Sequence, residues 1–150
     1  MKRRLVLITV FSLIALFSLA GPASAWTICG EGSITARGVG VAIVRGDAEV
    51  EIVARGRGVV HVEGATRPEA RGEGARVDLP GGGAIFSGWR GRIHAAGREL
   101  TVWMCGGVIE FTAQGEGWVY LRGRGSYEID GDAADWAGDG ARMALGDVEE

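Results

Sequence analysis

The sequence predicts an all-β protein of two antiparallel β-meanders, packed as a sandwich or closed as a barrel. Glycine accounts for 27 of the 150 residues and proline for 3, against a usual glycine share of ~7%. Between the glycines, apolar residues alternate with polar ones in short segments, which is the pattern of half-buried strands. A β-helix or roll is the alternative, because stacked coils also show glycines at a short regular period.

An internal duplication is the third observation in favour of two meanders. A shift of 59 residues aligns 31–64 with 90–123, and ten of these 34 positions are identical. The apolar positions between the shared glycines correspond as well, as in VEIVARGRGVVHVEG over IEFTAQGEGWVYLRG. The two stretches therefore predict two similar halves within one all-β domain, 26–130.

Hairpin turns explain the spacing of the glycines. If 115–117 is a three-residue loop, Ala113 lies opposite Val119, so apolar side chains share one face. The same interpretation makes hairpin loops of 46–47, 56–58, 106–107 and 123–125. The turn at 46–47 would place Ile43 on the inner face and Val44 on the outer face. At 56–58, part of an Arg-Gly-Arg-Gly motif, the loop requires the glycines, and Arg57 faces solvent.

The remaining segments carry weaker strand patterns. The connector 65–88 reads as loop and turn, with one short strand at 84–86. The C-terminal stretch, 131–150, reads as an acidic loop and tail, with a weak helical turn within 135–145.

The first 25 residues have the build of a secretory signal peptide. Three basic residues precede an apolar run at 5–20, and Ala23-Ser24-Ala25 closes the segment. Cleavage leaves 13 basic against 19 acidic residues, a net charge of −6, and no transmembrane anchor. We therefore expect an exported protein of the periplasm, cell envelope or exterior that does not bind nucleic acid.

Two cysteines remain after cleavage, Cys29 and Cys105. In an oxidising compartment they can form one disulfide. Two buried free thiols are the alternative, since the sequence does not determine their separation.

Residues suited to catalysis are few, and we expect no enzyme, no cofactor and no metal. The mature chain has two histidines, and none of its serines lies in a nucleophile elbow. Glu51 and Glu110 share a repeat position and suggest a carboxylate-based hydrolase as a third hypothesis, although solvated sheet-face charges explain them more simply. The acidic stretch 130–139 lacks the spacing and closing glutamate of a calcium-binding EF-hand loop.

An outward-facing aromatic group is the strongest candidate for a binding site. The predicted pairing directs Trp103, Trp118 and Tyr120 away from the inner face. Such a group can stack on sugar rings or form a protein interface. The alternative is that the connector or tail covers it, through Trp89 or Trp136.

A recurring pattern, G-x-G-x-V-x-V-x-G, is carried by GRGVVHVEG (56–64) and GEGWVYLRG (115–123). It resembles that of small, exported, uncharacterised glycine-rich β-repeat proteins of bacteria. The resemblance implies no catalytic residues. The sequence thus favours a non-enzymatic structural or interaction module whose partner is an envelope protein or a polysaccharide. A carbohydrate-binding module is the alternative, and the oligomeric state stays open.

Overall fold

The computed structural model describes residues 32–146, so the predicted signal peptide and Cys29 lie outside the described residues. Within this range the chain is all β, as predicted, and the described residues contain no helix. The strands are β1 (Gly32–Arg55), β2 (Val59–Glu63), β3 (Glu69–Asp78), β4 (Ala84–Ile129), β5 (Asp132–Asp135) and β6 (Ala141–Leu145). They form one hydrogen-bonded sheet that does not close into a barrel.

Two very long strands, β1 and β4, coil around each other. Residues 90–115 of β4 pair with β1 along one edge, and residues 111–129 pair with it along the other. Phe111 therefore pairs with both Ala36 and Ile52, which are 16 residues apart on the same strand. A straight strand cannot flank one neighbour on both sides. Both strands must wind around a common interior, and the single sheet is folded into two facing layers.

Each layer contains seven strand segments in antiparallel order. Layer 1 consists of 75–78, 84–87, 59–63, 101–105, 41–45, 117–122 and 141–145, in lateral order. Layer 2 consists of 69–73, 90–97, 48–55, 108–115, 32–39, 124–129 and 132–135. As residue numbers rise along β2, the numbers of the paired residues in β4 fall. β2 is therefore antiparallel to both neighbouring segments of β4.

The core lies between the two layers. Layer 1 contributes Val44, Val62, Phe86, Leu121 and others, and layer 2 contributes Ile34, Val50, Ile93, Phe111 and others, all fully buried. Burial of each large apolar side chain stabilises the fold by about 1.5–3 kcal/mol. In β1 the buried residues have even numbers throughout, from Ile34 to Ile52. The alternation of inward and outward side chains therefore continues without a break through both layers.

The predicted hairpin pairs are wrong. Ala113 pairs with Ile34 and Val50, not with Val119, because the chain at 115–117 crosses from layer 2 to layer 1 instead of reversing on itself. Gly115 and Gly117 have φ of 140° and 151°. A Cβ on Gly117 would overlap the carbonyl oxygen of Arg45. The glycines are needed here for close passage of a neighbouring strand at a corner, not for a tight turn.

True irregularities occur in β4, where the inward-facing parity changes at three residues with left-handed φ. These are Gly88 (59°), Glu99 (55°) and Gly106 (80°). The pairing with β1 slips by one residue near 99 and near 106, and that with β3 near 88. Each slip is a β-bulge, one extra residue that restores the apolar side chains to the interior after a corner.

The prediction for 46–47 is also wrong. The register of β1 continues through Gly46 without a reversal. Val44 is therefore fully buried, whereas Ile43 lies on the outer face and is half-buried. A turn at 46–47 would instead have placed Ile43 inside and Val44 outside.

Segments predicted as loops contain edge strands. Within the connector, 69–78 forms β3, and the predicted strand at 84–86 begins β4. The C-terminal stretch forms β5 and β6 instead of a loop and a helical turn. β3 and β5 have few apolar residues, whereas β6 is mostly apolar and places Leu145 in the core. All three are held in extended conformation by pairing with β4. Charged residues along β3 protect this open edge from pairing with other chains.

Positions 59 residues apart occupy corresponding places in the layers. Ile34 and Ile93 are both buried in layer 2, and Val60 and Val119 are both buried in layer 1. The two aligned stretches do not form separate lobes, since among the strands of residues 32–146 β1 pairs only with β4.

The loop at 56–58 gives a matched pair of stability predictions. Gly58 has a φ of 91°, and a Cβ there would overlap the carbonyl oxygen of Cys105. We expect Gly58→Val to lower the free energy of unfolding by more than about 2 kcal/mol. Arg57 is exposed, so Arg57→Glu should change it by less than about 0.5 kcal/mol. Urea denaturation of both variants measures this, and a large loss in Arg57→Glu would contradict it.

The orientation of β1 gives a second prediction. Val44→Asp places an unpaired charge in the core and should cost more than about 3 kcal/mol. Ile43→Asp leaves its charge at the surface and should cost about 1 kcal/mol or less. Thermal melts of the two variants compare them directly. The opposite ranking would show that the strand turns at 46–47 after all.

Candidate interaction face

Outward side chains of layer 1 form a continuous face on the solvent side of the sandwich. Its central row follows the cross-strand pairs Val77, Ile85, His61, Trp103, Ile43, Tyr120 and Arg142. One neighbouring row contains Ser87, Val59, Cys105, Val41 and Arg122. The other contains Glu63, Thr101, Arg45, Trp118 and Ala144. We call these three rows the aromatic face.

Trp103 lies at the centre of the aromatic face. Its strand segment, 101–105, has three segments of layer 1 on each side. The indole is 49% exposed, and Val77 and Val59 are 59% and 37% exposed. Seven strands at the usual spacing make the face about 29 Å wide. A broad area with many apolar side chains is therefore partly open to solvent around Trp103.

All three predicted aromatic residues lie on this face. Tyr120 and Trp103 flank Ile43 in the same row, a separation of about 10 Å at the usual strand spacing. The guanidinium carbon of Arg142 lies 4.4 Å from the ring centroid of Trp118. A Cβ on Gly140 would overlap the Tyr120 hydroxyl oxygen. The C-terminal segment thus covers parts of Trp118 and Tyr120 and leaves Trp103 open.

Neither Trp89 nor Trp136 covers the face, contrary to the alternative considered from the sequence. Both rings belong to the core and are only 9% and 5% exposed. The Trp136 indole N–H donates a hydrogen bond to the Ser126 carbonyl oxygen at 3.1 Å. Trp89 packs edge-on against Phe86, with 5.3 Å between ring centroids.

Sequence reasoning missed the aliphatic part of the aromatic face. The predicted turn at 46–47 places Ile43 in the interior, which is wrong. An uninterrupted alternation from Ile34 to Ile52 would have identified it as outward-facing. Val77 lies on β3, a strand that its charged and glycine-rich sequence does not reveal.

His61 is the one imidazole in the central row. It lies between Ile85 and Trp103 on adjacent strands and is half-buried. Its Nε2 atom is 3.1 Å from Glu63 Oε1. This contact lacks hydrogen-bond geometry, since Nε2 has no hydrogen-bond partner among the described residues.

Layer 2 presents a contrasting outer face on which cross-strand ion pairs predominate, with Val39 and Val108 as its exposed large apolar side chains. Arg92 Nη1 lies 3.0 Å from Glu51 Oε1, and His94 Nε2 lies 2.7 Å from Glu49 Oε1. Arg55 Nη2 donates a hydrogen bond to Glu110 Oε2 at 2.6 Å. This is the usual pairing of opposite charges across a solvated sheet. The two outer faces of one sandwich therefore differ in chemistry.

The carboxylates of the hydrolase hypothesis belong to this ion-paired face. The hydrogen bond from Arg55 holds the pKa of Glu110 below its usual range. Partial desolvation opposes this effect, and the positive charges of Arg55 and Arg37 add to it. A general acid of a glycosidase requires a raised pKa. The surroundings of Glu110 lower its pKa instead, which does not suit that role.

Other polar features of the described chain have local structural roles. Asp130 Oδ1 accepts a hydrogen bond from the Ser33 backbone N–H at 2.7 Å, which ties the acidic stretch to β1. Residues 32–146 contain no group of three or more His, Cys, Asp or Glu side chains arranged to hold a metal ion. No helix in that range is long and apolar enough to cross a membrane. Cys105 is half-buried on the aromatic face and has no disulfide partner within residues 32–146; Cys29, its predicted partner, lies outside them.

Comparisons of the chain with protein-family models, with curated proteins and with solved structures give no match.

The ion pairs of Glu110 predict a pH dependence of stability. A folded-state pKa below the unfolded value of about 4.3 stabilises the fold above that pH, and the contribution is lost as the pH falls through the folded pKa. Thermal melts between pH 2 and 6 should therefore show a shallower acid decline for Glu110→Gln than for the unmodified chain. The difference should stay below about 1 kcal/mol because the pair is solvent-accessible.

Glu128 provides the control for this measurement, since it is exposed and forms no ion pair within residues 32–146. Glu128→Gln should reproduce the acid decline of the unmodified chain. An equal acid decline in Glu110→Gln and the unmodified chain would contradict the prediction.

Proposed function

We propose that this chain is an exported, non-enzymatic β-sandwich module that works by docking a partner on the aromatic face. The difference between the two outer faces is the observation that carries the proposal. The largest apolar patch of a monomer is often functional, and Trp103, Val59 and Val77 are the exposed large apolar side chains of this one. Trp and Tyr are enriched where proteins bind partners, since they combine apolar area with a polar group.

Export is the second part of the proposal. It rests on the basic, apolar and small-residue regions of 1–25. The net charge of −6 after cleavage disfavours anionic lipid and nucleic acid as partners. The compartment that fits these features is the periplasm, the cell envelope or the exterior.

A protein partner fits the face better than a polysaccharide. Val77, Ile85, Val59 and Ile43 supply aliphatic area that a hydrated sugar chain does not match, whereas a protein interface core does. Trp118 and Tyr120 are partly covered, so sugar stacking has one open ring, Trp103. Carbohydrate binding through Trp103 is the second candidate, supported by the exposure of that ring on a flat surface.

Trp103→Glu tests the proposal, with Thr112→Glu as the matched control. Thr112 is exposed on the ion-paired outer face of layer 2. We expect Trp103→Glu to reduce recovery of co-purifying proteins, untagged copies of this chain included, at least about tenfold, the effect of losing one interface hot spot. Thr112→Glu should leave recovery unchanged, and both variants should keep the melting temperature of the original. Equal recovery by the two variants would contradict a docking role for the face.

Carbohydrate binding is tested separately with the unmodified chain on immobilised envelope polysaccharides. Retention that disappears in Trp103→Ala, with no protein co-purifying, would establish the second candidate. No retention on any polysaccharide would exclude it.

A further inference from the structure

We infer that the partner on the aromatic face is a second copy of this chain, bound face to face about a twofold axis near Trp103. This inference rests on the proposed function, because it takes the aromatic face as the docking surface. It adds the identity of the partner and the register in which the two faces meet.

The face has a natural centre for such an axis. Trp103 lies in the middle row of three on the middle segment of seven, with Cys105 and Thr101 two residues away on that same segment. A twofold axis along this segment, in the plane of the face, places the face of one copy on that of the other. Each residue then meets the position equally far on the opposite side of the central segment. Trp103 of one copy meets Trp103 of the other.

The charges of the face complement each other under this operation. Glu63 and Arg45 both pair with Thr101, from opposite sides. They are thus one segment to either side of the centre in the same row. The twofold axis brings Glu63 of each copy against Arg45 of the other, which forms two equivalent ion pairs. Arg122 and Arg142 lie on the Arg45 side of the face. The rotation therefore keeps each of them away from the same arginine of the second copy.

The apolar side chains are complementary as well. Tyr120 lies two segments from the centre on one side, and Ile85 lies two segments from it on the other. By the same count, Ile43 meets His61. The bulkier aromatic half of one copy therefore meets the aliphatic half of the other. Stacked sheets whose strands are nearly aligned pack in this manner inside β-sandwiches.

The area is sufficient for a specific dimer. Seven segments of about five residues span about 29 Å by 17 Å, a projected area of about 500 Å² per copy. The side chains stand up from this plane and increase the accessible area beyond the projection. Two copies thus bury more than the ~1,000 Å² that a specific interface needs.

Charge reversal with heterodimer rescue is the decisive test. Arg45→Glu alone and Glu63→Arg alone each create two like-charge contacts. Each should weaken self-association, measured by sedimentation on the exported chain, at least about tenfold. In an equimolar mixture, a heterodimer has glutamate at positions 45 and 63 of one copy and arginine at both positions of the other. Both ion pairs are then restored. The mixture should associate within about threefold of the original chain. Because rescue requires both variants to be folded, it also controls for misfolding.

Crosslinking tests the register independently. In a Cys29→Ser background under reducing conditions, a short thiol-to-thiol crosslinker should join Cys105 of the two copies, because both lie close to the axis. Ser87→Cys, in a Cys29→Ser, Cys105→Ser background, is the matched control on the same face. In the dimer the thiols at position 87 of the two copies lie four strand spacings apart, about 19 Å. The short reagent should not join them.

A chain that stays monomeric at millimolar concentration would overturn the inference. So would a mixture of variants that associates no better than either variant alone, or crosslinking of Ser87→Cys in preference to Cys105. If the chain is monomeric but Trp103→Glu still loses its envelope partner, the docking role stands and only the dimer fails. If Trp103→Glu also leaves that recovery unchanged, both proposals fail.

Discussion

Hydrogen bonding of β1 to β4 along both of its edges is the constraint on which the rest of the structure depends. From Ile34 to Ile52, residues of β1 pair with two successive passes of β4, so neither strand can shift without breaking two ladders. This pairing fixes which side chains face the interior, and it places a corner wherever the coil changes layer. At the corners two backbones pass so closely that a Cβ has no room, as at Gly117 beside Arg45. The high glycine content follows from this geometry.

The same coiling separates the chemistry of the surface into two faces. Alternate residues of the same strands contribute to both outer surfaces. Outward residues of β1 and β4 in layer 2 are mostly charged or polar, with Val39 and Val108 as apolar exceptions. In layer 1 apolar and aromatic side chains stand beside Arg45, Thr101 and Arg122. Glu51 and Ile43, eight residues apart on β1, illustrate the contrast. Ion pairs such as Arg92 with Glu51 satisfy the charged face within the chain itself. On the aromatic face the His61–Glu63 contact and the stacking of Arg142 on Trp118 leave Trp103 open to solvent, and that difference supports both proposals.

Local patterns predicted the fold class and most of the core. Alternation around Phe111, Ala113, Val119 and Leu121 marks the buried side chains correctly, because it depends only on the two-residue period of a strand. The outward position of Trp103 follows from the same period. Where the predictions failed, at Ile43 and Val44, the error came from interpreting a glycine as a reversal. A glycine in a reversing turn and a glycine that makes room for a neighbouring strand give the same sequence pattern. The difference between them lies in a partner strand far along the chain.

The sequence by itself determined that the described chain is all β, which residues alternate, and where the backbone requires glycine, since these properties depend on neighbours within a few positions. Only the tertiary structure decided that the glycines at 115–117 join two layers and that β3, β5 and β6 are strands. It also decided that Trp103 stands open while Trp89 and Trp136 are buried. Strand pairing determines these features, and no local pattern records which of several possible partners a strand has.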